Sequence, residues 1–260
     1  MTELLDVFEN QYMQVYLLGP LAGVVLGALF SGLSKPLDRS APSSVVQTRN
    51  IFIQNNYNGQ TAARNDSDGR EIVILGAILL AFLCWKYAHH AEFIQKIIFS
   101  ALVTLSCFFL SAAFVSLMKG FYTGKDWWIA LGLPAVSFGC CIIIFLHAIE
   151  SYDPVITQLA YEYPLIQFYT QGLSNYGMKF LITHVIGITM IGLITLVSSF
   201  SLLNYLSLMN QRQYGYSQSV WIFFARISFW ATGGAGLCMM LFFNVIAFLL
   251  IYGYVTSWLM

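Results

Sequence analysis

Long apolar runs divide the chain into segments that match the thickness of a lipid bilayer. A membrane-spanning helix needs about 20 mostly apolar residues, and five stretches meet that length easily: 15–34, 72–89, 94–118, 127–149 and 179–208. Residues 219–258 are too long for one simple crossing and barely long enough for two. Within them, 237–257 spans alone, whereas 219–232 carries Arg226 among large aromatic residues and suits an interfacial start to the same, glycine-hinged helix. The pattern predicts six crossings, with seven as the alternative.

Composition supports the bilayer as the main solvent. Hydrophobic residues make up 58% of the chain and charged residues only 9%, whereas a soluble domain carries about 25% charged residues. The twelve basic and twelve acidic residues balance, and no basic run indicates a nucleic-acid partner. The five cysteines lie in apolar segments without metal-binding spacing, which is typical of small apolar side chains.

The distribution of lysine and arginine predicts the orientation. With six crossings, eight of the twelve basic residues fall on the side that holds residues 35–71, and three fall on the opposite side. The positive-inside rule therefore places 35–71 in the cytoplasm. The acidic segment 1–14 lacks the basic region of a signal peptide and lies outside. We expect an integral protein of the cell inner (plasma) membrane, with the lipid bilayer as its surroundings.

The hydrophilic segment 35–71 has a pattern of its own. Val45, Val46 and residues 51–53 favour strand, and residues 55–59 favour a turn, so the segment has β-hairpin character. The predicted fold class is an all-α polytopic membrane protein with this single hydrophilic cytoplasmic segment. Its divisions are the outer N-terminal segment 1–14, a first transmembrane helix 15–34, the cytoplasmic segment 35–71 and a transmembrane helical bundle 72–260.

Small residues recur every four positions in the first apolar run. Gly19, Gly23, Gly27 and Ser31 lie on one stripe of a helix. Helices associate in lipid through close packing, and small residues let their backbones approach. The stripe therefore predicts a close helix contact, made either with another helix of the same chain, which is the commoner use, or with another subunit in self-association.

Polar residues near the predicted outer surface are candidates for chemistry. His89, His90, His147 and His184, with Glu150, all lie toward that side, and together they would suit a metal or proton site, with His147 and His184 as axial haem ligands. No HExxH or repeated ExxH pattern accompanies them. Histidines that simply face the membrane interface are therefore the stronger interpretation, and the tyrosine-rich outer loop 150–178 is interpreted as an aromatic cap.

Two further polar residues stand in apolar surroundings. Arg226 is a candidate for contact with lipid or another anion, although its tryptophan neighbours also fit simple anchoring at the interface. Asn244 lies midway along the last crossing, where a buried amide is expected to bond across helices.

Motifs for nucleotide binding, serine hydrolysis and kinase activity are absent from the sequence. The favoured hypothesis is a non-enzymatic membrane subunit, without a cofactor, that assembles or anchors a membrane protein complex through self-association or other subunits. One alternative is an oligomeric channel or pore-forming effector that responds to a cytoplasmic partner. The further alternative is a membrane redox protein that bears a metal or haem.

Overall fold

The computed structural model describes residues 17–32, 69–120, 124–210 and 216–253. These ranges are 93% helical and contain no strand. Eight helices provide the framework: α1 (Gly19–Gly32), α2 (Gly69–His89), α3 (Ala91–Met118), α4 (Leu133–Ser151), α5 (Pro154–Glu162), α6 (Asn175–Asn210), α7 (Tyr216–Ser228) and α8 (Gly233–Ile251). The short helix Lys125–Trp127 and the π-helical turn Trp128–Gly132 lead directly into α4. Two similar short elements, Leu165–Gln167 and Phe168–Gly172, separate α5 from α6.

Four helical stretches within the described ranges are long and apolar enough to cross a membrane: Ala91–Met118, Trp128–Ser151, Asn175–Asn210 and Gly233–Ile251. Three shorter apolar helices accompany them: Gly19–Phe30, Val73–His89 and Ser219–Ala231. The four long stretches coincide with predicted crossings. Because the predicted crossings 15–34 and 72–89 correspond to shorter helices, the total of six stays a prediction.

Two predicted segments fall largely or wholly outside the described ranges. The N-terminal segment 1–14 and the strand and turn residues 45–59 are not among the residues that the structure describes. At the end of the predicted hydrophilic segment, residues 69–71 form the start of α2. The β-hairpin character of residues 35–71 therefore stays a prediction.

The helices meet in two groups at opposite ends of the bundle. At one end, here named the His184 end, the last turn of α2 and the chain after α4 meet α6 where Tyr87 and Tyr152 contact His184. At the other, the Asn210 end, the amide of Asn210 on α6 donates to the carbonyl of Phe30 on α1. The helices α2 and α4 therefore end beside the start of α6 and run antiparallel to it, whereas α1 ends beside the end of α6.

The helix α6 forms the centre of the bundle. Half of its most apolar stretch is buried inside the chain, against 17% for α3 and 28% for α8. Its buried residues include Leu181, Ile191 and Leu202, which pack into two of the apolar clusters. Because α6 contacts the other long helices, it fixes the positions of the polar side chains described below.

The last region contains two helices instead of one hinged helix. A 3₁₀ turn, Phe229–Ala231, ends α7, and the next residue, Thr232, has an extended backbone. Gly233 then takes a positive φ of 69°, a conformation that favours glycine. A Cβ at Gly236 would overlap the carbonyl oxygen of Ala231. The glycines thus allow a sharp break at the position of the predicted hinge, and residues 219–232 belong to a separate helix and its final turn instead of the start of α8.

Candidate functional site

Two glycines of the small-residue stripe lie where α1 and α3 approach most closely. A Cβ added at Gly23 would overlap the carbonyl oxygen of Thr104, and one added at Gly27 would lie 2.6 Å from the Ser111 hydroxyl oxygen. That hydroxyl donates a hydrogen bond of 2.9 Å to the carbonyl of Val24. A serine bonding to the backbone of a neighbouring helix is possible only because no side chain separates the two.

Gly23 and Gly27 therefore make a contact within the chain, which is the first of the two predicted uses of the stripe. Gly19 begins α1, and the side chain of Ser31 lies outside the described part of the structure. Leucines and valines of α1 face outward instead: Leu21, Val24, Val25, Leu26 and Leu29 are exposed. A second subunit that used Gly23 and Gly27 in the same way would have to displace α3.

A buried polar cluster, the Tyr87–His184 cluster, joins three helices at the His184 end. The side-chain amide of Gln95 on α3 donates to the Tyr87 hydroxyl of α2 at 2.9 Å. The same hydroxyl lies 3.1 Å from Nε2 of His184 on α6. The rings of Tyr152 and Phe180 lie 5.3 and 5.4 Å from that imidazole. The cluster is defined by these five residues.

The hydrogen bonds of this cluster leave one buried ring atom without a partner. The Tyr87 hydroxyl accepts from Gln95 and shares a hydrogen bond with Nε2 of His184. Nδ1 of His184 is buried without a hydrogen-bond partner in the described part of the chain. The contacts point to a role in holding α2, α3 and α6 together.

The loop after α4 covers this cluster. The Tyr152 hydroxyl lies 3.1 Å from the Thr157 hydroxyl, and the Asp153 carboxylate accepts from the backbone N–H of Val155 to cap α5. Burial raises the pKa of Tyr152, the Asp153 carboxylate raises it further, and the hydrogen bond with Thr157 opposes both. Farther along, the Tyr169 hydroxyl donates to the carbonyl of Ala81 at 2.7 Å. These contacts tie the loop to the bundle, whereas Tyr161 and Tyr176 remain exposed.

The other predicted metal or proton ligands lie in separate surroundings. The His89 ring lies 4.8 Å from His90 and 3.9 Å from Tyr161. The His147 ring stacks at 4.0 Å on Tyr252, which follows α8, and Glu150 is exposed. Within the described residues, no group of three or more histidine, cysteine, aspartate or glutamate side chains is arranged to hold a metal ion. The structure does not bring the predicted metal, haem or proton ligands together around one centre.

Among the described residues, asparagine side chains bond between helices at three places. Asn244 on α8 donates to the Ser137 hydroxyl of α4 at 2.8 Å, which confirms the predicted bond across helices. Asn204 donates to the carbonyl of Ala225 on α7, and Asn210 bonds to α1. The sequence analysis missed Asn204 and Asn210. The signal that identified Asn244, an amide within an apolar run, applies to both.

A second hydroxyl cluster, also missed, lies toward the Asn210 end. The Ser116 hydroxyl of α3 lies 2.5 Å from the Tyr205 hydroxyl of α6, and the indole N–H of Trp127 donates to Ser116 at 2.9 Å. All three residues are buried. They join α3, α6 and the helical turn that leads into α4.

Arg226 lies exposed on α7. The opposite face of this helix is buried against the bundle through Trp221, Ala225 and Ser228. Arg226 therefore faces away from the rest of the chain.

Comparison of the chain with protein-family models, with curated proteins and with solved structures finds no match. The geometry of the chain itself is the basis for a functional proposal.

Proposed function

We propose that the protein is a non-enzymatic integral membrane subunit that assembles or anchors a membrane protein complex. The observation that supports this most directly is a set of glycines on outward surfaces of the apolar helices. A Cβ added at any of four of them would meet no atom within 4 Å: Gly76, Gly139, Gly192 and Gly234. We name these the open glycines.

The open glycines contrast with glycines that serve contacts within the chain. A Cβ at Gly23, Gly27 or Gly187 would come within 3.0 Å of a neighbouring helix. A glycine inside a helix costs about 1 kcal/mol relative to alanine, and internal helix contacts explain that cost at these positions. No contact among the described residues explains that cost at the open glycines. Helix interfaces in membranes are enriched in glycine, so a partner helix supplies the missing contact.

The first half of α2 offers the most accessible of these surfaces. All residues from 73 to 79 are exposed, including Leu75 at 71% and Ile78 at 63%, with Gly76 between them. A helix packed against a bundle buries one face, but this stretch buries none. An apolar helix in this position has room for a partner on any side.

The proposal includes a location and an orientation. The complex lies in the cell inner (plasma) membrane, with residues 35–71 in the cytoplasm and residues 1–14 outside. The excess of basic residues on the side of 35–71 supports this orientation. The partner is either a second copy of the chain or another membrane subunit.

Replacing Gly76 by leucine tests the proposal. The Cβ of the new side chain would meet no atom within 4 Å, and the neighbouring residues 73–79 are exposed, so the isolated subunit should melt at the same temperature as the wild type or slightly higher. A partner helix seated at Gly76 would be pushed away, and we expect a weakening of assembly by about tenfold or more, equivalent to about 1.4 kcal/mol. Native mass spectrometry of the full chain, extracted with a mild detergent, measures the fraction in complex.

The matched control is Val73→Leu, which enlarges an exposed side chain of the same helix without filling a glycine notch. It should assemble as the wild type does. Leucine at Gly139, Gly192 and Gly234 extends the test to the other open glycines. A wild-type chain that is a lone monomer both in detergent and after cross-linking in its native membrane would refute the proposal.

A further inference from the structure

The outward face of α7 is apolar except for one charge at its centre. Residues 222, 223, 226, 227 and 230 lie on one face at helical spacing. Ile222, Phe223, Ile227 and Trp230 are all exposed. Arg226 therefore has an exposed apolar side chain one turn before it and another one turn after it.

The positive charge of Arg226 has no carboxylate partner within the described ranges. The sequence after Glu162 contains no aspartate or glutamate, so residues 163–260 contribute no acidic side chain. A guanidinium group can donate two parallel hydrogen bonds to the oxygens of one phosphate. Phosphate is thus a chemically suited partner for this face.

The depth of Arg226 along the bundle fits a lipid headgroup. The amide of Asn204 donates to the carbonyl of the adjacent Ala225 at 3.0 Å. Asn204 lies six residues before the end of α6 at Asn210, which is about 9 Å along a helix. The 36 residues of α6 extend about 54 Å, roughly 24 Å more than a hydrocarbon core. If α6 is centred in the membrane, about 12 Å of the helix projects beyond the hydrocarbon core at each end. Asn204 lies about 9 Å from the end of α6, so Asn204 and the nearby Arg226 lie near headgroup level.

We infer that Arg226 and its apolar flanks bind one anionic phospholipid at the Asn210 end of the bundle. The guanidinium holds the phosphate, and the acyl chains lie along Phe223, Ile227 and Trp230. The Trp230 ring packs 5.4 Å from the ring of Phe200 on α6, which fixes it as one side of the site. A soluble anion would use only the charge, whereas a phospholipid uses the charge and the apolar face together. This inference is independent of the proposed assembly role.

Lipid retention by the full chain tests the inference. The protein is stripped with detergent, mixed with phosphatidylglycerol or phosphatidylcholine, and analysed by native mass spectrometry. We expect retention of one phosphatidylglycerol in preference to phosphatidylcholine, and a loss of about fivefold in Arg226→Gln. Arg226→Lys should lose part of the preference, because an ammonium group lacks the planar fork. Ile227→Ser should weaken retention while the charge is kept.

The matched control is Lys125→Gln, which removes one exposed positive charge near the same end of the bundle. It should retain the lipid as the wild type does. Equal retention by the wild type and Arg226→Gln, with both proteins melting alike, would overturn the inference. Displacement of the lipid by excess inorganic phosphate would show a free-anion site instead. Cross-linking of position 226 to a carboxylate of a co-purified protein, without bound lipid, would also overturn it.

Discussion

Replacing Gly23 by alanine should separate α1 from α3, although it adds only one methyl group. The added Cβ would overlap the carbonyl oxygen of Thr104 and would lie 3.1 Å from the Cβ of Cys107 and from the backbone N of Phe108. Two of these three neighbours are backbone atoms of a continuous helix. They cannot rotate away as a flexible side chain can, so the two helices themselves must move apart.

The size of the effect follows from two opposing terms. Overpacking a close contact costs about 1–3 kcal/mol, and the rigid neighbours place Gly23→Ala at the upper end. The higher helix propensity of alanine raises the free energy of unfolding by at most about 1 kcal/mol. A further loss comes from the hydrogen bond between Ser111 and the carbonyl of Val24, which lengthens when the helices separate. We expect a net destabilisation of about 2 kcal/mol.

The matched control is Gly76→Ala, which makes the same chemical change in an apolar helix where the new Cβ meets nothing within 4 Å. It should be neutral or stabilising by up to about 1 kcal/mol. Both variants are unfolded with sodium dodecyl sulfate in mixed micelles and followed by circular dichroism, and the free energies of unfolding are compared by linear extrapolation. If the two alanine variants unfold alike, α1 does not sit on α3 through Gly23.

Three further predictions concern polar contacts. Tyr87→Phe removes the hydroxyl between Gln95 and His184 and should lower the free energy of unfolding by about 1–3 kcal/mol, measured in the same mixed micelles. Asn244→Leu should cost about 1 kcal/mol through its lost bond to α4, and a variant as stable as the wild type would contradict that role. The pKa of Tyr152 is raised above its ordinary value of 10 in the folded chain. The stabilisation that the neutral hydroxyl gives to the folded state is therefore complete below pH 10 and is lost as the pH rises above 10. Tyr152→Phe should therefore reduce the loss of melting temperature at alkaline pH.

The long apolar helices could be predicted from the sequence because a membrane span is a local property. The predicted crossing 94–118 lies within α3, and 179–208 lies within α6. The end of the helix that contains residues 219–232 was harder to predict. The apolar pattern shows how long an apolar segment is, but it does not show where the backbone changes direction. The end of α7 depends on the extended conformation of Thr232 and the positive φ of Gly233, and apolar periodicity contains no signal for either.

The histidines show a second limit of sequence analysis. Alternating crossings predict correctly which residues share an end of the bundle, but sharing an end does not bring side chains together. The rotation of each helix about its axis directs His147 to Tyr252 and His184 to Tyr87. That rotation depends on packing between distant segments, which spacing along one helix does not contain. The hydroxyl of Tyr87 was missed for the same reason.

A comparison of Gly23 with Gly76 separates the effects of a larger side chain on folding from its effects on assembly. In the sequence, Gly23 and Gly76 each interrupt an apolar helix, and only Gly23 belongs to the small-residue stripe. In the structure, only Gly23 is filled by a neighbour. A larger side chain at Gly23 should therefore weaken the fold of the isolated subunit, and with it any assembly. A larger side chain at Gly76 should leave the fold intact and weaken assembly alone. Measuring fold stability and complex formation separately on this pair distinguishes a glycine that joins two helices of the chain from a glycine that receives a partner.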